Sequence, residues 1–124
     1  MKKIKVLLVD DEEKFAQMVK INLEMTGAYE VRTESLGSKG LEAAREFGPD
    51  VIFMDIMMRD IGGPMAVTQI RSDMKFKDTP IVYLSAAVPK QGAELGDDRI
   101  AGCPYISKPV QIGKLILAIR KYVP

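Results

Sequence analysis

Three short runs constrain this chain more than anything else in it: KVLLVD at residues 5–10, VIFMD at 51–55 and IVYLSA at 81–86. Each is almost continuously apolar. A strand with one wet face alternates apolar and polar residues, so a strand without alternation needs cover on both faces. That is the habit of parallel strands held between two layers of helix. Parallel neighbours cannot be joined by a tight hairpin and need a long crossover, usually helical.

The intervening segments supply those crossovers. Phe15, Met18, Val19 and Asn22 to Met25 recur at helical spacing, and Gly27 in TGAY closes that helix. Ser38 is placed to cap a helix running through Phe47 and stopping at GPD. Pro64 suits the first turn of a helix leading through Val67 and Ile70. A last helix carries Ile112, Leu115, Ile116 and Ile119 on one face and ends near KYVP. YEVRTES (29–35) does alternate, as an edge strand does, and PYIS (104–107) reads as a short fifth strand. In residues 87–103, Gly92 and Gly96 each cost a helix about 1 kcal/mol relative to alanine, so a short or mobile fourth helix is expected there. The pattern predicts a doubly wound α/β fold: a five-stranded parallel sheet in the order 2-1-3-4-5, flavodoxin-like, with helices on both sides. At 124 residues it fits one domain over 1–124.

Composition excludes several functions. With 18 basic and 17 acidic residues the net charge is +1, which leaves no basic footprint for nucleic acid. No apolar run approaches the ~20 residues a membrane helix needs. The opening MKKIKVLLVDDEE ends in acids rather than a small-residue cleavage site, so it is no secretory signal. A single cysteine, Cys103, rules out an internal disulfide and suits the cytoplasm. With no histidine there can be no Ser-His-Asp chemistry, no histidine phosphodonor within the chain and no His-ligated zinc. The eight methionines read as gap fillers of the core, and Cys103 as inert.

Open α/β sheets bind ligands at the carboxyl ends of their strands, where the strand order switches. The first run ends in Asp10 and Asp11, the third strand in Asp55, the fourth in Ser85 and the fifth in Lys108. In the expected order Asp10, Asp11 and Asp55 converge, and Lys108 is long enough to lean back over Ser85. The four successive acids Asp10–Glu13 pose a problem of repulsion, since two like charges ~4 Å apart repel by roughly 1 kcal/mol in water and about 4 kcal/mol at an effective dielectric of 20. Either they are solvated and favour a helix N-terminus through its dipole, or a cation sits among them. A hard divalent ion with oxygen ligands, Mg²⁺ above all, would relieve the repulsion and complete its shell from a phosphate. Lys108 and Ser85 form an oxyanion half beside that metal half.

LLVDDEE, VIFMDIMM, DIGG, YLSA and YISKP, in this order, resemble the receiver (CheY-like response regulator) domains of two-component signalling, over the whole chain. The resemblance implies that a histidine kinase or a histidine phosphotransfer protein donates a phosphoryl group to Asp55. It implies that Asp11, Asp55 and the Met57 backbone carbonyl ligate Mg²⁺, with Asp10 acting mainly through water. Lys108 and Ser85 would hold phosphoryl oxygens, and Tyr105 would turn inward as Ser85 is drawn to the phosphate. The face formed by the fourth helix, PYIS and the last helix would then engage a downstream target or a fused output domain. Arg59 stands where the family often has proline, and Gly62 where an acid is common, just before the loop glycine, Gly63. Met57 and Ala87, each two positions beyond a site residue, cannot orient a water, which predicts slow loss of the phosphoryl group. Such a domain is not an enzyme in the usual sense, since it assists only its own phosphorylation and dephosphorylation. Two rival readings are an unphosphorylated pseudo-receiver serving as an interaction scaffold and a small Mg²⁺-dependent phosphatase.

Overall fold

The computed structural model of the protein describes residues 2–86, 99–100 and 102–124. Along them run β1 (Ile4–Val9), α1 (Glu13–Met25), β2 (Tyr29–Glu34), α2 (Gly40–Phe47), β3 (Val51–Asp55), α3 (Gly63–Arg71), β4 (Ile81–Ser85), β5 (Arg99–Ile100), β6 (Cys103–Ser107) and α4 (Ile112–Tyr122). The sheet order is β2-β1-β3-β4-β6-β5. Five strands are parallel, in the 2-1-3-4-5 order expected, with β6 as the fifth. The sheet departs from expectation at its far edge, where the two-residue β5 pairs antiparallel with β6. Gly102, at φ 82°, adopts the left-handed conformation that lets the chain reverse there. The helix expected within 87–103 lies outside the described residues, as does Ala87.

Strand periodicity sorts the core into two layers. Val6 and Leu8 of β1 join Phe53, Val82 and Leu84 beneath α1 and α4. Leu7 and Val9 join Ile52, Met54, Ile81 and Tyr83 beneath α2 and α3. All eleven of these side chains are essentially inaccessible to water, which explains why the strands show no alternation. β2 is the exception: Tyr29 and Val31 are buried while Glu30 is exposed, as an edge strand requires.

Two local expectations need correction. The buried stripe of α1 is Ala16, Val19 and Leu23, while Met18 and Met25 face solvent and Asn22 is exposed. The helix begins at Glu13 and packs on the sheet in the phase that presents 16, 19 and 23 (spacing i, i+3, i+7), so Val19 and Leu23 are buried as expected, Phe15 packs at the edge of the core and Ala16 joins the stripe. Ser38 does not cap α2 either. It lies in a 3-10 turn, Gly37–Lys39, and its backbone N–H donates to Asp60, so the α-helix starts only at Gly40. Pro64 sits in the first turn of α3 as expected, with Val67 and Ile70 buried below it.

The close approach that positions the strand ends is at Gly63. A Cβ built there would lie 2.5 Å from the Asp55 carbonyl oxygen and 2.9 Å from the Ile56 Cα, both backbone atoms that cannot give way. Gly63 also donates its N–H to the Ile56 carbonyl at 2.7 Å, closing the loop after β3. Gly63→Ala is expected to lose about 1–3 kcal/mol of stability in urea unfolding, as overpacked sites do. Gly113→Ala, in α4 with nothing within 4 Å of the new methyl group, is expected to gain roughly 0.5–1 kcal/mol.

Candidate functional site

β1 and β3 are adjacent and parallel, so their carboxyl ends emerge side by side. Asp55 continues the Val51–Phe53 row and Asp10 the Val6–Leu8 row, which directs both toward the α1/α4 side. Asp10 is buried, and its Oδ1 accepts the Glu12 N–H at 2.9 Å, a local turn that swings the chain from strand into helix. Its own N–H donates to the Glu34 carbonyl on β2 at 2.9 Å. Asp55 is equally sheltered, with its Oδ1 accepting the Met57 N–H at 3.3 Å. Asp11 turns its Oδ2 to the loop after β3, where the Arg59 N–H donates at 3.0 Å. One oxygen each from Asp10, Asp11 and Asp55 fall within 4.8 Å of one another, close enough to share a metal ion.

Lys108 enters from β6. Its backbone N–H donates to the Ser85 carbonyl at 2.8 Å, anchoring it beside the end of β4. From there Nζ reaches Asp10 Oδ2 at 3.0 Å, Glu12 Oε1 at 3.2 Å and Asp55 Oδ1 at 3.6 Å, lying 5.1 Å above the centre of the Phe15 ring. Burial works against the ammonium, but the Asp10 hydrogen bond and the charges of Asp10 and Asp55 outweigh it and hold Lys108 above the ordinary lysine range.

Among the described residues Lys108 is the one largely buried cation beside the carboxylates of Asp10, Asp11 and Asp55, since the Arg59 guanidinium, 3.4 Å from Asp11, is exposed. Asp55 shows the imbalance: burial first, then the Asp10 charge, push it up to about 6, against the pull of Lys108 and the Met57 N–H. A hard divalent cation fits such a donor set, composed of oxygen alone and short of positive charge.

The sequence-expected residues divide into two groups. Asp10, Asp11, Asp55 and Lys108 come together directly. Ser85 is buried at the end of β4, on the strand next to Asp55. Tyr105 lies mid-strand in β6, in register with Tyr83 and packed against the α2/α3 layer. The side chain of Met57 is exposed. Glu13 does occupy the first turn of α1, so the acidic run serves both the helix dipole and the pocket.

Sequence reasoning missed Glu12 and Phe15 as partners of Lys108, Arg59 as partner of Asp11, and the structural role of Asp60. Asp60 accepts the N–H groups of Gly37 and Ser38 at 3.1 and 2.9 Å and ties the loop after β3 to the turn after β2. Those bonds, the Ser38 N–H first, hold its carboxyl well below the usual range. Glu12 was visible as part of the acidic run. Arg59 stood out as a departure that brings a charge near the site mouth, though not as the partner of Asp11, and no short-range pattern marks Phe15 or Asp60 in these roles.

The raised Asp55 pKa makes stability depend on pH. A carboxyl whose pKa is higher folded than unfolded favours folding most below its unfolded value, near 3.8, and that contribution is lost as pH rises through about 6. Without metal, Asp55→Asn should therefore gain on the wild type between pH 4 and 7, by about 3 kcal/mol for a shift of two units. Urea unfolding at both pH values checks this, and a constant difference would contradict it.

Comparison with known proteins identifies the family to which this fold belongs. The polar-differentiation response regulator DivK of Brucella ovis is 31% identical over 122 residues, covering 95% of this chain and 94% of that protein. The DNA-binding dual master transcriptional regulator RpaA of Synechocystis is 31% identical over 116 residues, 94% of this chain but only 47% of RpaA, so the chain spans about half of that relative. The chemotaxis protein CheY4 of Vibrio cholerae superposes with a TM-score of 0.81 at 29% identity, covering 98% of this chain and 99% of that one. Residues 6–120 match the family model of the response regulator receiver domain, and the chain belongs to that family.

Proposed function

We propose that the chain is a phosphoacceptor, one receiver unit over 1–124, that takes a phosphoryl group onto Asp55 from the phosphohistidine of a histidine kinase or histidine phosphotransfer protein. The observation that carries this reading is the convergence of Asp10, Asp11 and Asp55 within 4.8 Å, with Lys108 Nζ 3.6 Å from Asp55. Asp11, Asp55 and the Met57 carbonyl would hold Mg²⁺, with Asp10 behind them. When bound, the ion supplies charge neutralisation for the phosphoryl oxygens.

Asp55 is the nucleophile. One carboxylate oxygen forms the bond to phosphorus as the bond to the donor's ring nitrogen breaks. Lys108, pinned by Asp10 and Glu12, meets a phosphoryl oxygen without having to be recruited. The Ser85 hydroxyl takes a second oxygen, and Tyr105 turns inward as it moves, altering the face around β6 and α4 that a downstream target or output domain reads. Beside Lys108 an apolar cleft of about 440 Å³, bordered by Phe15, Met18, Pro109 and Val110, offers a docking place for the donor protein. The near-neutral charge supports a domain that does not itself contact nucleic acid. Among the described residues no helix is long and apolar enough to cross a membrane, which with the single cysteine supports a cytoplasmic place.

Intact mass after incubation with Mg²⁺ and acetyl phosphate tests the reading. One phosphoryl adduct is expected on the wild type, and none without Mg²⁺ or on Asp55→Asn. A folded wild type that takes no adduct would count for a scaffold instead. The adduct should also be long-lived. Replacing Met57 and Ala87 together by glutamine and serine, which can orient a water, is expected to speed its loss about tenfold or more; an unchanged lifetime would refute that role for the two positions.

A further inference from the structure

We propose that Arg59 is a tethered counter-ion of Asp11 that competes with the divalent cation for this carboxylate and so weakens the hold of the unphosphorylated site on Mg²⁺. The inference rests on the metal-binding reading above and deepens it. Among the described residues two cations reach the acid cluster, in different ways. Lys108 is an internal one: its side chain is 13% exposed and fixed among Asp10, Asp55 and Glu12. Arg59 is an external one. Its side chain is 88% exposed, and its Nε lies 3.4 Å from Asp11 Oδ2.

The same Oδ2 already accepts the Arg59 backbone N–H at 3.0 Å. Any residue other than proline at position 59 would supply that bond, so the orientation of Asp11 does not require the guanidinium. What the guanidinium adds is charge. Being exposed, it can release the carboxylate oxygen to an arriving ion while staying beside it, so it competes without blocking, and the pair it gives up is a weak one. What persists is repulsion between a unit charge and a doubly charged ion a few ångströms away, in a solvated and salt-screened setting. A term of that size amounts to about a three- to tenfold change in affinity.

Isothermal titration of the full chain with MgCl₂, with the Mg²⁺-induced shift in melting temperature as a second readout, tests the proposal. Arg59→Ala is expected to bind Mg²⁺ about three- to tenfold more tightly than the wild type, and Arg59→Lys within about twofold of it. The gap should close as ionic strength rises from about 0.01 M to about 1 M, which shortens the Debye length from roughly 30 Å to roughly 3 Å. Equal or weaker binding by Arg59→Ala overturns the proposal while leaving the metal site standing. Tight binding by Arg59→Lys equally overturns it, because charge would not then be the cause. Failure of both wild type and Arg59→Ala to bind Mg²⁺ overturns this proposal and the metal reading together.

Discussion

The site depends on one electrostatic constraint: a parallel sheet places the carboxyl ends of β1 and β3 side by side, and both end in acids. Asp10 and Asp55 are buried there, where water can do little to screen them. Lys108 is the internal answer, delivered from the far side of β4 and held by the Ser85 carbonyl. It satisfies Asp10 more closely than Asp55, at 3.0 against 3.6 Å. That asymmetry leaves Asp55 the less compensated carboxylate, with its pKa pushed up by burial and by Asp10. A group left short of positive charge at the end of a central strand is well placed to gain from a metal ion.

The loop after β3 turns that constraint into a shaped pocket. Gly63 lies so close to the Asp55 backbone that no side chain fits, which brings the loop in over the strand end. Asp60 holds the next part of the loop to the turn after β2 through two backbone N–H groups. Gly37, in that turn, is also crowded, since a Cβ there would lie 2.9 Å from side-chain atoms of Ile61 and Met58. Arg59 is carried between these fixed points, with its N–H set on Asp11. The acids are thus oriented by backbone groups, which leaves the exposed guanidinium to act through its charge.

The two layers of helix have separate duties. α1 and α4 cover the face toward which Asp10 and Asp55 are directed, and Phe15 of α1 lies beneath the Lys108 ammonium. α2 and α3 cover the opposite face, where Tyr83 and Tyr105 stand in register on β4 and β6. Tyr105 is therefore linked to the acid pocket through its strand, two residues before Ser107, the partner of Ser85. A shift at Ser85 has a short path to it.

Much was legible in the sequence because the relevant physics is local or periodic. Unbroken apolar runs require cover on both faces, whatever the helices turn out to be. Asp10, Asp11, Asp55 and Lys108 end their strands, so the topology alone brings them to one edge. The rest depended on the phase and direction of side chains. Of the α1 residues read at helical spacing, Val19 and Leu23 are buried and Phe15 is partly so, while Met18, Asn22 and Met25 face solvent. Ala16 completes the stripe, which only packing on the sheet decided. Ser38 had the chemistry of a helix cap, but it lies inside a 3-10 turn tied to Asp60, 22 residues away, and the α-helix starts only at Gly40. The short β5 needs the left-handed Gly102 and the free edge of β6 together. The pairing of Arg59 with Asp11 across 48 residues exists only because β1 and β3 are neighbours. Sequence by itself determined which residues stand at the strand ends, since burial of apolar runs leaves the polar residues nowhere else to go; tertiary structure decided which charge meets which, since that depends on distances no periodicity encodes.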